Sequence, residues 1–179
     1  MTDKKAAILD AALLLFTEHS YHAVSTNRIA KVAKVSEGLI FKHFKNKQGL
    51  LEAVIARGEA RTAPLYEAIQ QEKNSKARIR KALSLPLDVP VADYPFWQLQ
   101  FTLKWEIHYK DGRFALPLLA PLIKAFKRLG YENPAAEAVF LLHAVEGISV
   151  SLLRDPGYDY RSLYDYLVAR YEVGATKER

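Results

Sequence analysis

The stretch STNRIAKVAKVSEGLIFKHFKNK, residues 25–47, decides the fold. Ser25 or Thr26 reads as an N-cap, its hydroxyl meeting the orphan backbone N–H groups of a short helix through Ala33. Ser36 opens a second short helix through Phe44, and Asn46 caps a longer one that begins near Lys47. Two short helices joined by a tight turn make a helix-turn-helix when a third helix closes a small core behind them. Ile8, Ala12, Leu15 and Phe16 supply that third side, since they recur at the spacing of one helix face across residues 3–19. Val35, Ile40 and Phe44 are then expected to pack on Ile29, Ala30 and the Ile8/Phe16 stripe. Glu37, Gly38, Leu39 and Lys42 are left free to enter a major groove. Arg28, Lys31, Lys34, Lys42, His43, Lys45 and Lys47 could ring that helix with positive charge for phosphates. Glu37 has the chemistry to accept from a cytosine amino group.

Charge agrees with this reading. Residues 1–50 carry eight lysines and arginines against four acids, whereas the remaining residues carry eighteen against sixteen. A basic N-terminal third on a near-neutral body suits a polyanionic partner. Half of the 179 residues are hydrophobic and a quarter charged, which excludes disorder as the default. There is no cysteine, so a disulfide framework, thiolate zinc site and cysteine nucleophile are excluded. Lys4 and Lys5 precede an apolar stretch, as in a signal peptide, but Asp10 interrupts it and no small-residue cleavage site follows. No apolar run approaches the ~20 residues of a membrane span. A cytoplasmic protein without a membrane partner is expected.

The rest of the chain is helical in period. The fourth helix runs towards Glu72, and a fifth ends before Pro86. Pro86, Pro90 and Pro95 read as loop punctuation. A helix from Phe96 to Tyr109 follows, and the next begins at either Pro117 or Pro121 and ends at Gly130. Asn133 and Pro134 open a long helix to about Arg154, and a last one covers about residues 160–173. With no strand pattern in the chain, the expected fold is all-α. It would comprise a three-helix DNA-binding head over residues 1–50 and a helical ligand-binding and dimerisation domain over residues 51–179.

Trp97, Phe101, Trp105 and Tyr109 lie four apart, forming a broad aromatic wall on one helix. With His108, Phe114, Phe140 and His143 it is a candidate lining for an apolar or aromatic ligand. His143 and Glu146 share a helix face, but two groups do not make a metal site, and neither metal nor cofactor is expected. No GxSxG, HExxH or glycine-rich phosphate loop is present, so enzymatic chemistry is not expected. The two last helices carry apolar residues on more than one face, among them Val139, Leu142, Val145, Tyr164, Tyr166 and Tyr171, with Gly147 permitting close approach. Pairing of both helices with their copies in a second chain would bury those faces.

The head resembles the DNA-binding domain of the TetR (tetracycline-repressor-like) transcriptional regulators over about residues 4–55. The resemblance lies in Ile8-Leu9, Ala11-Ala12, Leu15-Phe16, Ile29-Ala30, Ala33, Val35-Ser36, Gly38, Phe41, His43-Phe44, Lys47 and Leu50-Leu51. It implies that Thr26 and Asn27 stand where the family contacts phosphate and sometimes a base and that Glu37, Gly38 and Leu39 begin the base-reading helix; Arg28 and Ser36 count with them as candidate DNA-binding residues. Lys42, His43 and Lys47 would then meet phosphate or the groove edge. Three positions depart from the family pattern: Lys34 replaces a usual glycine, Phe41 a tyrosine and Leu39 a common threonine. The function implied is a homodimeric repressor that a small molecule releases from palindromic double-stranded DNA. The competing expectation is a small-molecule-binding helical protein that has lost specific DNA binding.

Overall fold

The computed structural model describes residues 3–106, 116–155 and 157–174, with residues 104–106, 116 and 172–174 as backbone only. In chain order the elements are α1 (Asp3–Glu18), α2 (Thr26–Val32), α3 (Glu37–Phe44), α4 (Lys47–Gln71) and α5 (Ser75–Asp88). A short 3-10 turn (Val91–Asp93) precedes α6 (Tyr94–Glu106), α7 (Leu116–Arg128), α8 (Pro134–Arg154) and α9 (Tyr160–Gly174). Among the described residues there is no strand. The chain folds as two compact units, Met1–Arg61 with Val91–Lys110 and Thr62–Pro90 with Asp111–Arg179. The expected division falls at residue 50; α6, assigned to the C-terminal body by sequence, groups here with the N-terminal unit.

The first unit closes around one apolar core. Ile8, Ala12, Leu15 and Phe16 of α1, Ile29 and Ala30 of α2, Ile40 and Phe44 of α3, and Leu50, Leu51 and Val54 of α4 are all buried in it. Each large side chain removed from water contributes about 1.5–3 kcal/mol. Leu99 and Leu103 of α6 complete the same core. They are four residues apart on a stripe different from the one that Trp97 and Phe101 occupy. A notch seats α6: any Cβ at Gly58 would run into the Phe96 ring. Thr17 Oγ1 donates to the Pro95 carbonyl at 3.1 Å, and Arg61 Nε pairs with the buried Asp93 at 2.6 Å. Ordinary capping fixes the helix starts, since Ser25 Oγ accepts from Arg28 N and Asn46 Oδ1 from Gly49 N.

The second unit is held at its centre by a buried arginine. Arg78 of α5 donates to the carbonyls of Ile69 (3.2 Å), Gln70 (3.2 Å) and Glu72 at the end of α4, and to that of Pro121 in α7 (2.9 Å). Three otherwise orphaned carbonyls at or just past a helix end are satisfied by one side chain. Phe126, Tyr131 and Tyr171 cluster with ring centres 5.0–6.4 Å apart, and Tyr131 donates to the Tyr171 carbonyl. Tyr160 is buried and donates to the Leu83 carbonyl.

Prolines correct the sequence reading in three places. α5 continues past Pro86 to Asp88, because Pro86 and Val89 are both buried and the apolar face carries on through the ring. Pro95 lies in the first turn of α6 rather than in a loop, where its missing N–H would be unpaired anyway. α7 begins before Pro117 and runs through Pro121. Pro121 cannot donate back to the Pro117 carbonyl, and Gln70 Nε2 does so instead at 3.2 Å.

Candidate nucleic-acid interface

A Schellman motif makes the turn between α2 and α3. Val35 N donates to Ala30 O at 3.0 Å and Lys34 N to Lys31 O at 3.2 Å, which places Lys34 at the left-handed C′ position with φ 54°. The end of α7 uses the same pattern, with Gly130 at φ 81°. At Lys34 a lysine therefore occupies a glycine position, at a cost of about 1 kcal/mol. Lys45, after α3, also has positive φ, at 67°. The backbone of α3 is thus bracketed by two lysines in conformations that disfavour side chains, and both are exposed.

The outward side of α3 is open. Gly38 and Lys42 are exposed, and Phe41 is 44% exposed. A Cβ built on Gly38 meets nothing within 4 Å, so no packing inside the chain requires this glycine. It costs the helix about 1 kcal/mol relative to alanine. A bare backbone here leaves room for close approach from outside the chain. Leu39, expected to point outward, is half-buried against the head core, which leaves Phe41 as the exposed apolar group of this helix. Sequence reasoning treated Phe41 only as a missing hydroxyl. Its place three residues after Gly38 on an open face was the signal available.

Thr26 Oγ1 donates to Glu37 Oε1 at 2.6 Å, joining the first residue of α2 to the first of α3. Asn27 is exposed. Arg28 Nη2 lies 2.7 Å from His19 Nε2, which accepts in the neutral tautomer bearing its proton on Nδ1. Ser36 occupies the N-cap of α3 without a side-chain hydrogen bond, so its hydroxyl is not spent on the helix. His43 is half-buried beside Phe44, and Lys5 lies 5.7 Å from the Phe44 ring centre. Lys47, at the start of α4, stands 4.3 Å over the Tyr21 ring, and partial burial lowers its ammonium below the usual lysine range.

Trp97 is buried and Phe101 half-buried, with ring centres 6.4 Å apart. Trp105 is described by backbone only, and His108, Tyr109 and Phe114 lie outside the described residues. Phe140 is 53% exposed on α8, and His143 is also exposed there, donating from Nδ1 to the Val139 carbonyl at 2.9 Å. One small cavity of the second unit, of about 10 Å³, is lined by Ile79, Leu83, Leu129, Val168 and Tyr171 with Lys76 and Arg80. That is below the range of about 300–1,000 Å³ for small-molecule sites. Among the described residues no cluster of histidine and acidic side chains is arranged to hold a metal ion.

Residues 8–54 match the model of the bacterial regulatory proteins of the tetR family. Over 60 residues the chain is 45% identical to YvkB, an uncharacterized HTH-type transcriptional regulator of Bacillus subtilis, covering 34% of this chain and 32% of that one. Over 82 residues it is 32% identical to the fatty acid metabolism regulator protein of the same organism, covering 46% and 41%. The chain thus spans less than half the length of these curated relatives. The fold is similar to that of NalD, the secondary repressor of the MexAB-OprM multidrug efflux pump in Pseudomonas aeruginosa. The TM-score is 0.70 at 20% identity, over 96% of this chain and 94% of that one.

Proposed function

We propose, from the match of residues 8–54 to the tetR family, that the chain is a regulator of that kind, a homodimeric repressor released from a palindromic operator by a small molecule. Regulators of this family are transcription factors rather than enzymes. The observation that carries the DNA reading is the open side of α3, where Gly38 offers bare backbone and Lys42 is exposed. In this reading α3 enters the major groove while Arg28, Lys31, Lys34, Lys45 and Lys47 meet phosphates. Residues 1–50 serve as the DNA-binding part, and residues 51–179 serve ligand binding and dimerisation, in the cytoplasm.

Support for the dimer comes from α8 and α9. Val139, Phe140 and Tyr166 are large apolar or aromatic groups left 41%, 53% and 62% exposed in the single chain. By length and composition α8 is apolar enough to cross a membrane, but Glu137, His143 and Glu146 interrupt it, and only 28% of its most apolar stretch is buried. A second copy would cover that face, and Gly147, whose missing Cβ would meet nothing within 4 Å, admits a close neighbour. We read Phe140 and His143, both exposed on α8, as part of this face rather than of the ligand wall. Trp97 and Phe101, with Trp105, His108, Tyr109 and Phe114, remain the proposed ligand lining. The second B. subtilis relative is a fatty acid metabolism regulator protein, which favours an apolar ligand here.

Selection of bound duplexes from a random pool tests the whole reading. An inverted repeat whose half-sites lie about 10 base pairs or a multiple apart is the expected product. Absence of salt-dependent binding to any duplex at low ionic strength would instead favour a small-molecule-binding protein that has lost its DNA partner.

A further inference from the structure

Resting on the DNA-binding reading above, we propose that Thr26 is a positioning residue for base recognition. Its hydroxyl, 2.6 Å from Glu37 Oε1, fixes the Glu37 carboxylate as an acceptor for the amino group of one cytosine in each half-site. A threonine hydroxyl has a single proton to donate. Contact with a phosphate would need that proton, and here it goes to Glu37. The bond is short and charge-assisted, and it spans 11 residues of chain to tie together the starts of α2 and α3.

The consequence lies in the second carboxylate oxygen. Among the described residues no group bonds to Glu37 Oε2, and the side chain is only half-buried on the open side of α3. With Oε1 tethered, the carboxylate is no longer a freely turning charge but an acceptor with a set direction. In a major groove guanine offers only acceptors at O6 and N7 and thymine only O4, so both repel it. Adenine presents its N6 amino group beside the N7 lone pair, which opposes a carboxylate. Cytosine N4 is a donor without a neighbouring acceptor on that edge. The tether thus turns a residue that also repels phosphates into a selective one.

The test uses the full chain and the duplex recovered from a random pool, with each base pair of one half-site replaced in turn. Wild type and Thr26→Ser are expected to disfavour loss of one C·G pair by at least about 10-fold. Thr26→Val, which keeps the shape and removes the hydroxyl, should reduce that preference to the level of Glu37→Gln. Its affinity for bulk duplex and its salt slope should stay unchanged. The double variant Thr26→Val/Glu37→Gln should discriminate no less than either single one, since both changes remove one device. Equal weakening by Thr26→Val on every duplex, with a salt slope reduced by about 1, would make Thr26 a phosphate contact and overturn the proposal while leaving DNA binding intact. Equal binding to all half-site variants by wild type overturns it too. If wild type binds no duplex at low salt, the DNA-binding reading falls first and takes the proposal with it. Circular dichroism of Thr26→Val, with Thr26→Ser as the folded reference, separates these outcomes from unfolding.

Discussion

The Lys47 ammonium lies 4.3 Å from the centre of the Tyr21 ring, one residue after the Asn46 cap that opens α4. The ring is itself held, since Tyr21 Oη donates to Gln48 Oε1 at 3.1 Å. A cation over an aromatic face gains about 0.5–1 kcal/mol at an exposed site. Lys47 is therefore pre-placed at a helix start where an anion is favoured. Lys47→Ala should weaken binding to every duplex alike and flatten the slope of log affinity against log salt by about 0.9, read by fluorescence anisotropy. Tyr21→Leu should cost less than Lys47→Ala, and Tyr21→Phe should keep most of the effect.

Lys34 tests the turn itself. At φ 54° a side chain is strained, and Lys34→Gly should raise stability by about 0.5–1 kcal/mol despite the greater freedom of glycine in the unfolded chain. Lys34→Val, β-branched, should lower it by more than 1 kcal/mol, on the order of the left-handed penalty. Urea unfolding reads both. A Lys34→Gly variant no more stable than wild type would remove strain from the account of this turn.

Gly58 and Phe96 test how α6 is seated in the first unit. Gly58→Ala places a methyl where the Phe96 ring lies and should destabilise by about 1–3 kcal/mol. Adding Phe96→Ala should cost less in the Gly58→Ala background than in wild type, because losing the ring there also relieves the clash. Additive losses in thermal unfolding would show that the two do not meet.

Alkaline stability should fail through buried phenols. Burial pushes Tyr171 up to about 12, and Tyr66 and Tyr160 higher still. In the folded state these groups hold protons that the unfolded chain releases near pH 10. The stability they contribute is complete below the unfolded value and is lost as pH rises through about 12. Phenolate ultraviolet absorbance followed beside circular dichroism should show several tyrosines ionising together with unfolding. Smooth titration of all tyrosines near pH 10 in a still folded protein would contradict this.

Local chemistry made some features legible and hid others. Asn46 and Asn133 announced helix starts, and each side chain accepts from a backbone N–H in the first turn. Lys34 was marked as a residue out of place, and its φ shows why. Prolines were misread because their cost depends on distant donors: nothing near Pro117 says that Gln70 will serve its carbonyl. The aromatic wall of α6 was visible as a face, yet its grouping with the head rests on Leu99, Leu103 and the Gly58 notch. Likewise, no spacing rule pairs Thr26 with Glu37 across a turn.

Arg78 has a consequence for conditions in which other fastenings loosen. Glu72 serves it with a carbonyl, while the Glu72 carboxylate meets Lys81 at 2.7 Å, and that bond holds the acid below its ordinary range. Acidification through that lowered range disarms the surface pair. The guanidinium and its four carbonyls carry no group that gains or loses a proton in water at ordinary pH. Buried from counterions, they are also shielded from ionic strength. The end of α4 is thus moored to α5 and α7 by a knot indifferent to the solution outside, and only a change in the helices themselves can untie it.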